Sequence, residues 1–328
     1  MPSYAAFGLS IDSEIPLPEL PETRAPADIV IRLGSVPKPP MPAGDNDDYI
    51  RLSDDRYAFH TPHGGFLLTA ARELTVDPSP GITPTLLRLV ILGRALGALL
   101  QWRGRFVLHA SSVAHGGRAR VVAGASGSGK STTAAAHIAR GWHLVADDLV
   151  VIDLDGDEPR VLPAYPQLRL WPDAAASLGI EIGSKERVHR DHDKRIVPIE
   201  PGDLASESLP IESIVILKRD ASDVLDPSEH NALERPEGRA TAMVVSLDRQ
   251  AALVELLRHS YAPRIMRALG RQAEHMAQCA RLAGSVVIAR ASLDTKQGGP
   301  IDAAILVELL DDGVRDSQKT FGITRRSP

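Results

Sequence analysis

The sequence predicts an α/β fold: a mixed sheet organised around a glycine-rich loop, preceded by a small β-rich module. Three observations predict it. The apolar run Arg118 to Ala123 feeds a glycine-rich loop that opens a helical stretch, Lys130 to Arg140. Strand-like runs at His143 to Ala146 and Leu149 to Ile152 complete a strand–loop–helix–strand order. Of the 25 prolines, 13 fall between Pro2 and Pro84, where they disfavour long helices and central strands.

Residues 1–83 are expected to form the N-terminal module, or else to extend the main sheet. Its best strands are Asp28 to Leu33, Arg56 to His60 and Phe66 to Ala70, with loops at Pro37 to Pro42 and Gly44 to Asp48. The larger domain covers 84–312. Thr83 caps a helix with Pro84 at its first position, running to about Trp102. Phe106 to Val113 reads as one strand, and Gly141 closes the helix that follows the loop. Residues 160–210 read as irregular because of their prolines, and 221–240 as a polar loop. Ile214 to Leu217 and Val286 to Ala289 are strands; 248–259, 264–283 and Asp302 to Leu310 are helices. Residues 313–328 are a polar tail.

Composition narrows the function. At 328 residues, with 43% hydrophobic and 24% charged residues, the chain is long enough for a large core. A net charge of −5 and a pI near 6.1 argue against a nucleic-acid partner. The one cysteine, Cys279, excludes an internal disulfide and sits in a helical pattern, as a buried inert thiol would. The N-terminus lacks the basic-then-apolar order of a secretory signal. The most apolar stretch, Leu86 to Leu100, is interrupted by Arg88 and Arg94 and falls short of the roughly 20 apolar residues of a bilayer span. It reads as a core helix, so a cytoplasmic protein with no membrane partner is expected. A homo-oligomer stays open.

Gly124-Ala125-Ser126-Gly127-Ser128-Gly129-Lys130-Ser131 fits G-x-x-x-x-G-K-[ST] in full. Glycines let the backbone turn its N–H groups inward around phosphate oxygens, and the following helix points its positive end at the same anion. Lys130 supplies a cation for the outer phosphates, and the Ser131 hydroxyl can join the shell of Mg²⁺. Thr132 completes the nucleotide-binding set. Asp147 follows Ser131 by sixteen residues at the end of a strand, and Asp148 is next to it. One could hold Mg²⁺ through water while the other accepts a hydroxyl proton. His109 ends the strand before the loop strand; it is either a core histidine or a neighbour of the phosphates. The charged run Lys185 to Arg195, with Lys194 and Arg195, either closes over the phosphates or is a solvated loop. Arg169 is a similar open question.

The segment Val107 to Ile152 resembles the catalytic domain of HPr kinase/phosphorylase. That family carries G-x-S-G-x-G-K-S, matched by Gly124, Ser126, Gly127, Gly129, Lys130 and Ser131. It carries a histidine twenty-one residues before the lysine, where His109 stands, and an Asp-Asp pair where Asp147-Asp148 stand. The resemblance implies a fold of the HPr kinase and phosphoenolpyruvate carboxykinase type. It also implies that Asp147 is the base toward a serine hydroxyl, with Ser131 and Asp148 on the metal. The chain is similar, more loosely over its length, to HPr-kinase-like proteins of peptide-modifying systems, such as lasso-peptide kinases. The likeness there runs through Phe7-Gly8-Leu9 to Leu17-Pro18-Glu19-Leu20 and Arg103-Gly104 to Leu108-His109-Ala110-Ser111. The family's further acidic metal ligand has no counterpart in Tyr165 to Trp171, which holds no Asp or Glu.

The expected activity is transfer of the γ-phosphoryl group of ATP, with Mg²⁺, to a serine or threonine hydroxyl of a peptide or protein. Catalysis would rest on Asp147, Lys130 and His109, with Arg169, Lys194 and Arg195 near phosphate or substrate. A small-molecule kinase and a nucleotide-binding switch without transfer are the alternatives.

Overall fold

The computed structural model describes residues 1–38, 49–189, 192–218, 242–261, 263–293, 307 and 310–312. Most of the loops expected at 37–48, the loop at 221–240, most of the last helix and the tail lie outside these residues.

Seven strands form the N-terminal sheet: β1 (Ser3–Ala6), β2 (Leu9–Ser13), β3 (Ile29–Leu33), β4 (Tyr49–Ser53), β5 (Arg56–Thr61), β6 (Gly64–Thr69) and β7 (Glu73–Pro78). Their order is β1-β2-β3-β7-β6-β5-β4, with β3 parallel to both β2 and β7. This sheet is separate from the larger one, yet its core is not. Leu17, Phe59 and Leu74 belong to one apolar cluster with Leu96, Phe106, Ile214 and Leu256.

The bridge between the two sheets is the helix opened by Thr83, whose hydroxyl accepts from the Leu86 N–H. It runs as α1 (Pro84–Val90), a π-helical turn (Ile91–Ala95) and α2 (Leu96–Trp102). Among the described residues it is the one helix long and apolar enough to cross a bilayer, and most of it is buried here. Both arginines are accounted for. Arg88 pairs with Glu19 at 2.6 Å, and the Arg94 guanidinium lies over the rings of Phe59 and Tyr49.

The larger sheet contains β8 (Phe106–Leu108), β9 (Ala110–His115), β10 (Arg118–Gly124), β11 (His143–Asp147), β12 (Val150–Asp153) and β13 (Arg160–Val161). The run read as one strand from Phe106 breaks at His109, so that β8 pairs with β12 and β9 with β10 and β11. Between β10 and β11 lies α3 (Lys130–Ile138). The stretch expected to be irregular is instead built. It holds β13, β14 (Gln167–Leu170), α4 (Pro172–Ser177), β15 (Arg187–His189) and β16 (His192–Pro198), and β14-β16-β15 form a third sheet. Its prolines sit in connections or near the ends of strands and helices, positions they tolerate, as Pro210 does at the start of the strand Leu209–Lys218.

The remaining strands are β17 (Leu209–Lys218), β18 (Ala242–Ser246) and β19 (Val287–Leu293), with β17 parallel to both β10 and β19. The helices are α5 (Arg249–His259), α6 (Pro263–Ala268) and α7 (Gln272–Ser285). The single helix expected over 264–283 is thus two, divided at Gly270 with φ +69°. Cys279 is fully buried on α7, and burial pushes its thiol up to about 12, as an inert core thiol requires.

The far end of α3 carries a buried polar knot. His137 is fully buried, with Nδ1 2.8 Å from the Thr133 carbonyl and Nε2 3.1 Å from the Arg120 guanidinium. Arg120 also reaches Asp311 and Glu212. This partnering requires the neutral Nδ1–H tautomer. Burial lowers His137 to about 4. The unfolded chain therefore takes up a proton between pH 6.5 and 4 that the native state refuses. The His137 contribution to stability is complete above 6.5 and is lost as pH falls toward 4, by about 3 kcal/mol. Urea melts across that range should show this slope, and His137→Gln should remove its share of it. An unchanged slope in the variant refutes the assignment.

Candidate functional site

The glycine-rich loop leaves the end of β10 where β17 runs beside it, with Gly124 opposite Leu217. A side chain at Gly124 has no room. Its Cβ would lie 2.5 Å from Ser128 Oγ and 2.7 Å from the Leu217 carbonyl oxygen, and its φ is +151°. Ala125, Ser126 and Gly127 are exposed, whereas Ser128 turns inward and Gly129 caps α3 in the left-handed region. Thr132 follows in the first turn, half-buried. Lys130 is folded back over the loop. Its Nζ donates to the carbonyls of Gly124 and Ala125, each at 3.0 Å, and it is 7% exposed. Burial and then the charge of Lys194 hold its pKa below the usual lysine value.

Two aspartates stand at the end of β11, and the backbone sends them different ways. Asp147 is in the strand, opposite Ser111 of β9. Its Oδ1 accepts from Ser111 Oγ at 2.6 Å and Ser131 Oγ at 2.9 Å, and its Oδ2 from the Arg169 N–H at 3.1 Å. Asp148 has φ +71°, a left-handed conformation that costs a non-glycine residue about 1 kcal/mol or more. Its carboxylate turns to Arg169, at 2.7 Å, and toward His109, at 3.4 Å. Burial alone would raise Asp148; Arg169, then His109, Lys194 and Lys130, outweigh it and hold the carboxyl below its usual range. His109 Nδ1 lies 3.1 Å from the Asp148 carbonyl oxygen, and burial keeps its pKa below the usual histidine value despite the carboxylate. Ser131 therefore meets Asp147 and not Asp148, the aspartate with which it was expected to share a metal.

The open questions at Arg169, Lys194 and Arg195 separate by strand alternation. Arg169 is 8% exposed and ion-paired to Asp148. Lys194 lies close enough to Lys130 and Asp148 to shift both. Arg195 does not join them: it bonds the Lys185 carbonyl and Asp193. Of the run 185–195, residues 190 and 191 lie outside the described residues.

Sequence reasoning missed three parts of the mouth. Ser111 comes from the register of β9 against β11. Tyr261 arrives from the segment after α5, with its ring centroid 6.2 Å from that of His109. It also packs where a side chain on Gly97 would stand, 2.7 Å from the ring. Tyr165, 3.5 Å from Arg169, is pushed up to about 12 by burial and stays a neutral phenol.

Among the described residues no three His, Cys, Asp or Glu side chains cluster as a protein-only metal site. The Ser131 hydroxyl and the Asp147 carboxylate do fit a hard divalent cation that brings further oxygen ligands with it, as Mg²⁺ does on a nucleoside triphosphate.

No family model matches the chain, and no curated protein matches it. Among solved structures, it is similar to the Hpr(Ser) kinase/phosphatase from Coxiella burnetii. The identity is 15% over 66% of this chain and 98% of that chain, with a TM-score of 0.34.

Proposed function

We propose that the chain is an ATP-dependent kinase that phosphorylates a serine or threonine hydroxyl of a peptide or protein. One observation carries the reading. A glycine-rich loop with its lysine, a serine–aspartate oxygen pair and a second aspartate under cationic control converge on one mouth. Phosphoryl transfer asks a protein mainly for positioning and charge stabilisation, and those are the parts present.

In this reading Lys130 leaves the loop carbonyls for the outer phosphates of ATP, alongside loop N–H groups and the N-terminus of α3. Ser131 and Asp147 would hold Mg²⁺, which would supply positive charge to neutralise the transferring phosphates. Asp148 faces the acceptor. The acceptor oxygen bonds to the γ-phosphorus as the bond to the β–γ bridging oxygen breaks. ADP leaves, and the hydroxyl proton passes to the Asp148 carboxylate. Arg169 and Lys194 stabilise charge on the moving phosphoryl group. His109, neutral, orients Asp148. The duties implied by the family likeness are thereby exchanged between the aspartates, because the Ser131 hydrogen bond goes to Asp147.

Incubation with γ-labelled ATP, Mg²⁺ and serine-containing peptides should label serine or threonine. Asp147→Asn should weaken metal-dependent nucleotide binding. Asp148→Asn should leave that binding and lower the transfer rate by about 10²-fold or more. Labelling of a small molecule alone favours the small-molecule alternative, and tight ATP binding without label favours a switch. Label that survives both substitutions removes the roles given to the pair.

A further inference from the structure

We infer that Tyr261 is a further catalytic residue of the proposed transfer: together with Asp148, its phenol hydroxyl holds the acceptor oxygen in the space left open above Gly93. This rests on the kinase reading above and goes beyond it by naming a second group on the acceptor.

The backbone pins Tyr261 in place. Where β8 stops, the chain end of α5 takes up its free backbone groups. The His109 N–H donates to the His259 carbonyl at 3.0 Å, the Tyr261 N–H donates to the Val107 carbonyl at 2.9 Å, and Leu108 stands opposite Ser260 between them. Ser260 is buried, with its Oγ 2.8 Å from the Leu256 carbonyl oxygen and 2.7 Å from His275 Nε2. The Tyr261 ring then lies along the helix that bridges the two sheets, where two glycines one turn apart meet it differently. At Gly97 a Cβ would stand 2.7 Å from the ring, so only glycine admits the ring this closely. At Gly93, within the π-helical turn, a Cβ would stand 3.2 Å from the Tyr261 hydroxyl oxygen and 3.9 Å from Asp148 Oδ2. Outside the helix, no other atom of the described residues comes within 4 Å of that point.

The two oxygens that border this space are complementary to one group. A carboxylate accepts, a phenol donates, and an alcohol does both. Among the described residues the Tyr261 hydroxyl, on a half-buried side chain, has no hydrogen-bond partner of its own. Burial, and then the charge of Asp148, raise its pKa, so it stays a neutral donor. Asp148 Oδ2 accepts one bond from Arg169 at 2.7 Å and has a lone pair left. An acceptor hydroxyl here donates its proton toward Asp148 and receives the Tyr261 O–H on one lone pair. Its other lone pair is then aimed at the γ-phosphorus. As the new oxygen–phosphorus bond forms and the bond to the β–γ bridging oxygen breaks, the acceptor proton passes to Asp148, and Tyr261 keeps its own.

The test measures steady-state phosphorylation of a serine peptide labelled by the wild type, with thermal melts in the presence and absence of MgATP. Tyr261→Phe keeps the ring against Gly97 and His109 and removes one oxygen. It should lower kcat/KM for the peptide about tenfold, while MgATP stabilises the variant as it does the wild type. Gly93→Ala places a methyl group in the shared space at a position without a positive φ. It should lower peptide kcat/KM about tenfold or more, again with the MgATP response retained. Because both changes act at one point, the double variant should lose no more than Gly93→Ala alone; losses that multiply overturn the shared seat. If Gly93→Ala fails to fold, Tyr261→Phe decides. Wild-type peptide kinetics in Tyr261→Phe give the space to water, overturn the inference and leave the kinase reading intact. No peptide labelled by wild type overturns both.

Discussion

Lys130→Ala is expected to lower ATP affinity and phosphoryl transfer by about 10²-fold or more, with little change in the stability of the nucleotide-free protein. The asymmetry follows from what the lysine does when the loop is empty. Its ammonium bonds two loop carbonyls at 3.0 Å, and burial and Lys194 together oppose its charge. Alanine removes two hydrogen bonds and relieves a crowded cation, terms of opposite sign. With ATP the balance changes, because the phosphates would answer Lys130 and Lys194 together. Thermal melts with and without MgATP separate the cases. At about 100 times Kd, ligand linkage stabilises by about 2.7 kcal/mol, which wild type should show and the variant should not. Equal ATP-induced stabilisation in both proteins would remove Lys130 from the binding site.

Arg169→Met is expected to destabilise the fold by about 3 kcal/mol and to depress transfer as well. The guanidinium is almost fully buried and lies 2.7 Å from Asp148. Removing one partner of a buried pair typically costs about 3–5 kcal/mol, since the other charge stays behind; the Asp148 side chain is 23% exposed, which puts the cost at the lower end. Adding Asp148→Asn should recover most of the stability, and asparagine tolerates the positive φ at this position. A double-mutant cycle by urea unfolding gives the coupling directly. A single-variant loss under about 0.5 kcal/mol, or additive losses in the double variant, would show that the two side chains do not depend on each other.

Local chemistry was legible where one stretch of chain makes the structure by itself. The loop 124–131 needs glycines at set positions and a helix after it, and both are written in consecutive residues. Thr83-Pro84 announces its helix in the same way, and its cap is observed. Reading failed where a feature depends on pairing. The break at His109 exists because β8 and β9 find different partners, which no local period reveals. The sheet β14-β16-β15 was hidden by prolines that rule out a central strand but not a strand end.

The same division runs through the site. The glycine-rich loop 124–131 with its lysine and serine, the neighbouring aspartate pair and the histidine that precedes them are legible in the chain alone, because each is a residue type at a set spacing. What folding decides is which aspartate meets Ser131, and that Arg169 and Lys194 come to the mouth while Arg195 turns away. The physical reason is that these outcomes hang on the backbone conformation of one residue, Asp148, and on the faces of strands whose register is set by distant partners.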